Sequence, residues 1–266
     1  MTSYKTFTNP ALVLKYFPYQ EADLIVTMLT KDHGKVQAIA KGARKLQSKF
    51  SGHIEPLTVV NVQLAKGKSL DTVTQVQTDK AYPQLYDDLH KLAHGIYISE
   101  LIDQFTPERE PNRQIFEIGL KTLDVLSKSD SPELGLLNFE FQILKFSGFL
   151  PELFNCVICE AEIKPTENRY SPNRGGVVCL SCSNSRETLP LSLSGMKILR
   201  HFNLYPVAQH SGLKIRKETY FELKTLLLET IIFWLEKDLN SSGFVEHLRI
   251  LQNTSANNES EKDNND

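Results

Sequence analysis

The sequence predicts a multidomain α+β protein in which a small N-terminal β-barrel precedes an all-α domain with a cysteine-rich insertion. Three observations predict this arrangement. Short runs of β-branched and aromatic residues alternate with turn signals over the first 80 residues. Helical spacing of apolar residues begins near residue 83, and two close cysteine pairs interrupt the helical part. We expect domains at 1–80 and 81–252, an insertion at about 154–186 and a tail at 253–266.

Five short strands are expected in the N-terminal domain, with hairpin turns at 31–34 and 66–68 between strands. The strands are expected at 11–17, 22–29, 35–40, 57–64 and 72–77. Five strands in so short a segment favour a closed barrel. The five-stranded oligonucleotide-binding (OB) fold is the leading candidate, and an SH3-like barrel is the alternative.

The second domain is expected to be helical, because its apolar residues recur at intervals of three to five. A first helix should run from about 83 to the Thr106-Pro107 stop, and a second should open at Pro111. Later helices are expected from a capped start at 131–133 to 147–148, from Ser192 or Ser194 through Phe202, and over 217–239.

Neither a signal peptide nor a membrane-spanning segment is expected. The N-terminal sequence lacks the long apolar core of a signal peptide. The most apolar later stretch, 225–235, contains Glu229 and is too short to span a bilayer. We therefore expect a cytoplasmic protein. The tail at 253–266 has one apolar side chain and is expected to be disordered.

The four cysteines predict one structural zinc site. Two C-x2-C pairs, separated by 19 residues, can place four thiolates tetrahedrally around Zn²⁺. Four thiolates fill the zinc shell and leave no position for a water, so the site is expected to be structural. Unmetallated or disulfide-bonded cysteines are the alternative. Gly175 and Gly176 should let the chain turn its amides toward sulfur. The ligands are Cys156, Cys159, Cys179 and Cys182.

No motif supports enzyme chemistry or a small-molecule substrate. The segment 53–55 (HIE) matches half of the zinc-deaminase pattern, but Asn155 stands where the other half needs a proline. His90 and His94 have the spacing of a metalloprotease helix, but Lys91 replaces the catalytic glutamate. We interpret both histidines as partly exposed surface residues. Phosphate-binding and nucleophile-elbow motifs are absent from the sequence, and we expect a protein that is not an enzyme.

Charge is distributed unevenly along the chain. Residues 1–80 hold 11 Lys and Arg against 6 Asp and Glu, a net charge of +5, whereas residues 81–266 have a net charge of −7. The segment 35–49 contains five cations and no acidic residue, which is typical of a phosphate-binding loop. A merely solvated face is the alternative. The candidate DNA-binding residues are Lys35, Lys41, Arg44, Lys45 and Lys49.

Aromatic residues in the same domain could stack on bases, although an aromatic residue in a strand is more often part of the core. The candidates are Tyr16, Phe17, Tyr19 and Phe50. The 19 residues between Cys159 and Cys179, by contrast, carry three charges of each sign, which cancel. We therefore expect the barrel, and not the finger, to bind phosphates.

Two segments in a fixed order carry a resemblance to a known family. They are residues 40–45 (AKGARK) and residues 146–153 (FSGFLPEL), the latter followed by the first cysteine pair. The chain resembles the bacterial recombination mediator RecO from about residue 12 to about residue 248. The resemblance implies an N-terminal OB domain, an all-α domain with a four-cysteine zinc finger, and no catalytic residue. It assigns DNA contact to Lys41, Arg44 and Lys45, whereas Lys35 and Lys49 come from the charge pattern alone.

The resemblance also implies partners. Members of this family act in homologous recombination and DNA repair, bind single- and double-stranded DNA, and anneal complementary strands in the bacterial nucleoid. They help to load the recombinase, together with RecR, onto DNA coated with single-stranded-DNA-binding protein (SSB). No short motif locates a pocket for the SSB tail.

Two other functions remain open from the residues themselves. A protein-interaction scaffold would contact DNA only within a complex. A zinc-dependent hydrolase would need a metal-bound water, which a four-thiolate site does not leave room for.

Overall fold

A closed five-stranded barrel forms the N-terminal part of the computed structural model, which describes residues 6–129, 132–184, 186–205, 215–236 and 239–241. The strand order is β1–β2–β3–β5–β4, and β4 pairs with β1 to close the barrel. β3 and β5 pair in parallel, whereas the other neighbouring strands pair antiparallel. The predicted OB-like barrel is therefore confirmed. The strands are β1 (Thr6–Tyr19), β2 (Asp23–Thr30), β3 (Gly34–Ala40), β4 (Val59–Ala65) and β5 (Asp71–Lys80).

The first strand begins earlier than the sequence predicts, at Thr6 instead of residue 11. Residues 6–12 pair with β4 and residues 11–19 pair with β2, so one long strand serves two partners. Pro10 lowers strand propensity in this segment. Pairing with β4, which is distant in sequence, overrides that local preference.

Apolar side chains fill the barrel, and a loop closes one of its ends. Alternate residues of β3, from Val36 to Ala40, are buried, as period-two patterning predicts. The loop over residues 41–58 joins β3 to β4. Its Phe50 and Ile54 are buried in the barrel core. The loop therefore has an inward apolar side and an outward side that is free for other contacts.

Six α-helices follow the barrel in the described residues. The predicted first helix is divided, because Asp88 accepts hydrogen bonds from the amides of His90 and Lys91 and starts a new helix. The last helix ends at Leu235, short of residue 239, where Glu236 adopts a φ of 54°. The helices are α1 (Pro83–Tyr86), α2 (Leu89–Phe105), α3 (Arg113–Lys128), α4 (Glu133–Phe146), α5 (Leu193–Leu204) and α6 (Lys217–Leu235).

Side-chain caps fix the starts of two further helices. Asn112 accepts from the amide of Ile115, so α3 begins at Arg113, slightly later than the predicted opening at Pro111. Ser192, and not Ser194, caps α5. The proposed cap at Ser131 and the tail at 253–266 lie outside the described residues.

The insertion between α4 and α5 contains a small antiparallel sheet of order β7–β6–β8. Its strands are β6 (Asn168–Ser171), β7 (Gly176–Val178) and β8 (Leu189–Leu191). Because β8 pairs with β6, the insertion extends past residue 186 to the start of α5. In the described residues after the barrel, regular structure is thus helical apart from this three-stranded unit.

The barrel and the helices share one apolar core. Leu12, Leu14, Leu29 and Leu57 of the barrel domain are buried together with the helical side chains. Gly95 allows close approach, since a Cβ there would lie 2.6 Å from a methyl carbon of Leu57. This packing fixes the barrel, including the end of the 41–58 loop at Leu57, against the helices. In the part of the chain that the structure describes, no helix is long and apolar enough to cross a membrane.

Candidate metal centre and nucleic-acid interface

The four cysteines converge on one point of the insertion. Their Sγ atoms all lie within 4.8 Å of one another, and the Sγ atoms of Cys159 and Cys179 are 3.8 Å apart. Bonds of about 2.3 Å to a tetrahedral zinc ion place sulfur atoms about 3.8 Å apart. All four cysteines are free of disulfide bonds. The cluster therefore fits a tetrahedral metal ion with four sulfur ligands.

Backbone hydrogen bonds position the sulfurs. The amide of Glu160 donates to the carbonyl of Cys156 (2.8 Å), and the amide of Cys182 donates to the carbonyl of Cys179 (3.1 Å). Each bond closes a tight turn around one C-x2-C pair. The amide of Cys179 donates to the Sγ of Cys156 at 3.4 Å, which links the two turns through a sulfur ligand.

The protein environment separates the acidities of these thiols. Burial works against ionisation of Cys156, but amide donors from Cys159 and Cys179 outweigh it and lower the pKa of Cys156 to about 6. Hydrogen bonds to the sulfurs of Cys159 and Cys179 raise the pKa of Cys182 to about 12. The last proton is thus difficult to remove while the neighbouring sulfurs carry negative charge. A bound cation would relieve this repulsion and hold all four thiolates together.

The glycine pair before Cys179 has a different role from the one predicted. A Cβ on Gly176 would lie 2.5 Å from Cγ1 of Val157 and 2.8 Å from the carbonyl oxygen of Glu152. Gly176 is therefore required because β7 runs very close to the first cysteine turn. Gly175 adopts a φ of 64°, which favours glycine. The amide that reaches sulfur belongs to Cys179 itself.

The histidines that the sequence analysis excluded as metal ligands lie outside the cysteine cluster. The Nδ1 atom of His53 is 2.8 Å from the hydroxyl of Thr78, beside the barrel. His90 and His94 are both partly exposed on α2. Burial and the charge of Lys224 lower the pKa of His94 to about 4. Within the described ranges, the four cysteines are the only group of three or more His, Cys, Asp and Glu side chains close enough to hold a metal.

The basic segment forms the first half of the loop that closes the barrel. The amide of Gly42 donates to the carboxylate of Asp23 (2.7 Å), and the amide of Arg44 donates to the carbonyl of Ala22 (2.9 Å). Gly42 adopts a φ of 71°, where a side chain would be strained. The loop is therefore tied to the turn between β1 and β2, and its outward side chains have a defined base.

Four of the five predicted cations lie on this outward side. Lys41, Arg44, Lys45 and Lys49 are exposed. The ammonium of Lys49 donates to the carbonyl of Thr74 (2.7 Å) and lies 5.0 Å from the centre of the Phe50 ring. Among the described residues, none of the four forms an ion pair with a carboxylate. Their charge is therefore available to an external polyanion.

Lys35 lies apart from the other four cations. Its ammonium is 3.0 Å from a carboxylate oxygen of Asp103 and also donates to the main-chain carbonyl of Asp103. The Lys35 side chain is only 13% exposed. Lys15 contacts the same carboxylate at 2.6 Å. This arrangement gives Lys35 a structural contact between barrel and helices, which differs from the predicted phosphate contact.

The aromatic residues that could stack on bases fall into two groups, one buried and one exposed. Phe50 is buried and Tyr16 packs partly against the barrel core. Phe17 is 54% exposed and Tyr19 is 38% exposed. These two side chains are two residues apart on β1 and so point to the same face of the strand. Phe17 and Tyr19 are therefore the two candidates that could reach a base.

Comparison with known proteins gives the family. The model described as Recombination protein O N terminal matches residues 1–82, and the model described as Recombination protein O C terminal matches residues 86–243. This chain belongs to the RecO family. The resemblance expected from the sequence is thus confirmed.

Several RecO relatives match over nearly their whole length. The "DNA repair protein RecO" of Dehalococcoides mccartyi strain BAV1 is 36% identical over 250 residues, which cover 94% of this chain and 99% of the relative. The protein of the same description from Roseiflexus sp. strain RS-1 is 33% identical, covering 95% of this chain and 89% of the relative. That of Desulforamulus reducens is 31% identical, covering 92% and 95%.

Sequence reasoning missed two acidic residues of this RecO-family chain, one that holds the basic loop and one that binds barrel lysines. Asp23 accepts a hydrogen bond from the Gly42 amide at the start of the basic loop. Asp103, which lies on α2, binds two lysines of the barrel. Asp23 could have been found from the hairpin, because it lies at the start of the predicted second strand, just after the turn. The pairing of Asp103 with Lys35 spans 68 residues and has no local signal.

Proposed function

We propose that this chain is a recombination mediator that binds single- and double-stranded DNA and anneals complementary strands. The supporting observation is the group of four exposed cations on a loop whose opposite side is anchored in the barrel core. Cations that are held in place without carboxylate partners can bind phosphates in any sequence. The bases then remain free to pair. Annealing by this route requires charge and geometry and needs no catalytic residue.

In the same proposal, the chain works with RecR in the bacterial cytosol, at the nucleoid, and helps to load the recombinase onto DNA coated with SSB. Membership of the RecO family and the description of its relatives as DNA repair proteins support this role. The tail of SSB is the proposed protein ligand. Its binding pocket is not assigned.

We further propose that the cysteine cluster holds one structural Zn²⁺. The separation of 3.8 Å between two of its sulfurs matches the edge of a zinc–thiolate tetrahedron. When bound, zinc supplies the charge that keeps the four thiolates together. The sheet packed behind the cysteines, with Gly176 against Val157, then keeps the finger in one shape.

The DNA-binding proposal is tested by removing two loop cations together. Arg44→Ala/Lys45→Ala should weaken binding of a single-stranded oligonucleotide and lower the slope of log K against log salt by about 1.4, since each phosphate contact contributes about 0.7. The measurement is fluorescence anisotropy over a salt series, followed by an annealing assay. Both side chains are exposed, so folding should be retained.

A matched control comes from a different turn of the barrel. Lys66 and Lys68 are exposed on the turn between β4 and β5. This turn is separate in the chain from the 41–58 loop, which joins β3 to β4. Lys66→Ala/Lys68→Ala should leave the salt slope unchanged. Equal effects of the two double substitutions would contradict a specific role for the basic loop.

A protein-interaction scaffold is the second candidate function. Phe154, Ile158 and Leu180 of the finger are 47%, 45% and 63% exposed, and such apolar side chains are typical of protein contacts. A scaffold should bind oligonucleotides only after RecR is added. The mediator should bind them alone, so the anisotropy series with and without RecR separates the two functions.

A further inference from the structure

Leu46 is the most exposed large apolar residue among those that the structure describes. Its side chain is 101% exposed, compared with 63% for Leu180 and 68% for Leu204. Leu46 directly follows Lys45 in the basic loop and lies three residues before Lys49. An apolar side chain therefore stands among the cations that we propose to bind phosphates.

The backbone holds Leu46 in this exposed position. The amide of Lys45 donates to the carbonyl of Gly42 (3.1 Å), and the amide of Ser48 donates to the carbonyl of Lys45 (3.0 Å). Leu46 thus lies in the second of two consecutive turns. The chain after them is anchored by Phe50, whose side chain is 4% exposed. Phe50, the next large apolar residue along the loop, is buried in the barrel core, whereas Leu46 is fully exposed.

We propose that Leu46 inserts between bases of the DNA strand whose phosphates the loop cations hold. This inference rests on the proposed DNA binding. Apolar side chains, leucine included, are used by DNA-binding proteins as wedges that separate stacked bases. The occupant is a nucleic acid because the charged side chains of residues 41–49 are all positive and lack carboxylate partners in the described structure.

The same geometry predicts a preference between DNA forms. Separating two bases costs less in a flexible single strand than in a duplex, where stacking and pairing must both be disturbed. Leu46 should therefore favour single-stranded DNA over duplex DNA. A wedge in each bound strand would also keep bases unstacked and accessible to a complementary strand. The loop would then position bases as well as phosphates.

The first test measures affinity of the full chain over a salt series. Leu46→Ala should weaken single-strand binding by about fivefold to tenfold, as expected for losing part of a buried leucine contact. The salt slope should not change, because an apolar side chain releases no counterions. Leu46→Met should keep the affinity within about twofold, since methionine preserves apolar volume. Leu204→Ala, at the end of α5 where the side chain is 68% exposed, is the matched control and should have no effect.

The second test observes the bases. An oligonucleotide containing 2-aminopurine becomes brighter when that base loses its stacking partners. The native chain should increase its emission, and Leu46→Ala should abolish most of the increase at saturating protein. Arg44→Ala/Lys45→Ala should retain the increase once the protein concentration is raised to saturation.

The outcomes separate this inference from the proposed function. If the native chain binds with a steep salt dependence but Leu46→Ala matches it in affinity and in 2-aminopurine emission, the wedge is wrong and DNA binding stands. A contact of Leu46 with a protein partner would give that same result. If the native chain shows no salt-dependent binding, the proposed function fails, and the wedge fails with it.

Discussion

Replacing Asp103 with alanine should destabilise the fold because it leaves a nearly buried ammonium without its partner. Asp103 lies near the end of α2 and contacts Lys15 (2.6 Å) and Lys35 (3.0 Å) of the barrel. The Lys35 side chain is 13% exposed, whereas that of Lys15 is 41% exposed and can turn to water. The cost of Asp103→Ala therefore comes mainly from Lys35.

The expected magnitude follows from that burial. Breaking a buried ion pair on one side costs about 3–5 kcal/mol, and the remaining exposure of Lys35 reduces our expectation to roughly 2–3 kcal/mol. Lys35→Met with Asp103→Ala should recover most of this loss, because an apolar side chain of similar length leaves no unpaired charge. Arg113→Ala, which removes a 67% exposed cation from Asp32, is the control. It should cost far less stability than Asp103→Ala, because an exposed ion pair contributes little.

The assay is urea unfolding at pH 7, monitored by circular dichroism. Burial tends to raise the pKa of Asp103, but hydrogen bonds from Lys15 and Lys35 outweigh it, and the net effect lowers the pKa. A lowered pKa contributes stability that is present above the unfolded value of about 3.9 and is lost as pH falls through the folded value. The contribution is therefore complete at pH 7. The reasoning is refuted if the double variant is as unstable as Asp103→Ala, or if Lys35→Met alone lowers the salt slope of DNA binding.

Two further predictions concern the metal and a buried carboxyl group. The native chain should contain one zinc ion per molecule by elemental analysis, and Cys159→Ser should lose it. The absorption spectrum of the cobalt-substituted chain should show four thiolate ligands, and a solvent ligand in that spectrum would contradict a structural site. Burial raises the pKa of Glu140 to about 7, so the folded state binds its proton more tightly and this group lowers stability as pH rises from about 4.5 to 7, on the order of 3 kcal/mol. The free energy of unfolding of Glu140→Gln, measured in urea, should therefore rise relative to that of the native chain between pH 5 and pH 7.5. Parallel plots of unfolding free energy against pH for the two proteins would exclude this effect.

Local patterns predicted the elements whose stabilising contacts are also local. The alternation in β3 predicted which of its residues are buried, because the side chains of a strand alternate between core and surface. The cysteine spacing predicted the cluster, because each C-x2-C pair closes one tight turn. Strand β1 was predicted only from residue 11, since its earlier half depends on pairing with β4 about fifty residues away.

Charge patterns predicted the candidate interface less completely, because a run of cations in sequence does not reveal which of them are neutralised. Lys35 and Lys41 look alike in the sequence, but the fold brings Asp103 to Lys35 and no carboxylate to Lys41 among the described residues. The two lysines differ in the part of the fold that each side chain faces. The side chain of Lys35 leaves β3 beside α2, whereas Lys41 follows the end of β3 on the loop that closes the barrel.

The ion pairs between barrel and helices also determine where positive charge remains. Lys15 and Lys35 bind Asp103, and Lys80 binds Asp124, so these barrel cations are compensated by the acidic C-terminal part. In the 41–58 loop, by contrast, the cationic groups of Arg44 and Lys49 donate to main-chain carbonyls, which leave their charge in place. A chain with a net charge of −2 can therefore present one concentrated positive surface. Because its acidic body repels phosphates, DNA should approach from the loop end of the barrel, where Leu46 projects.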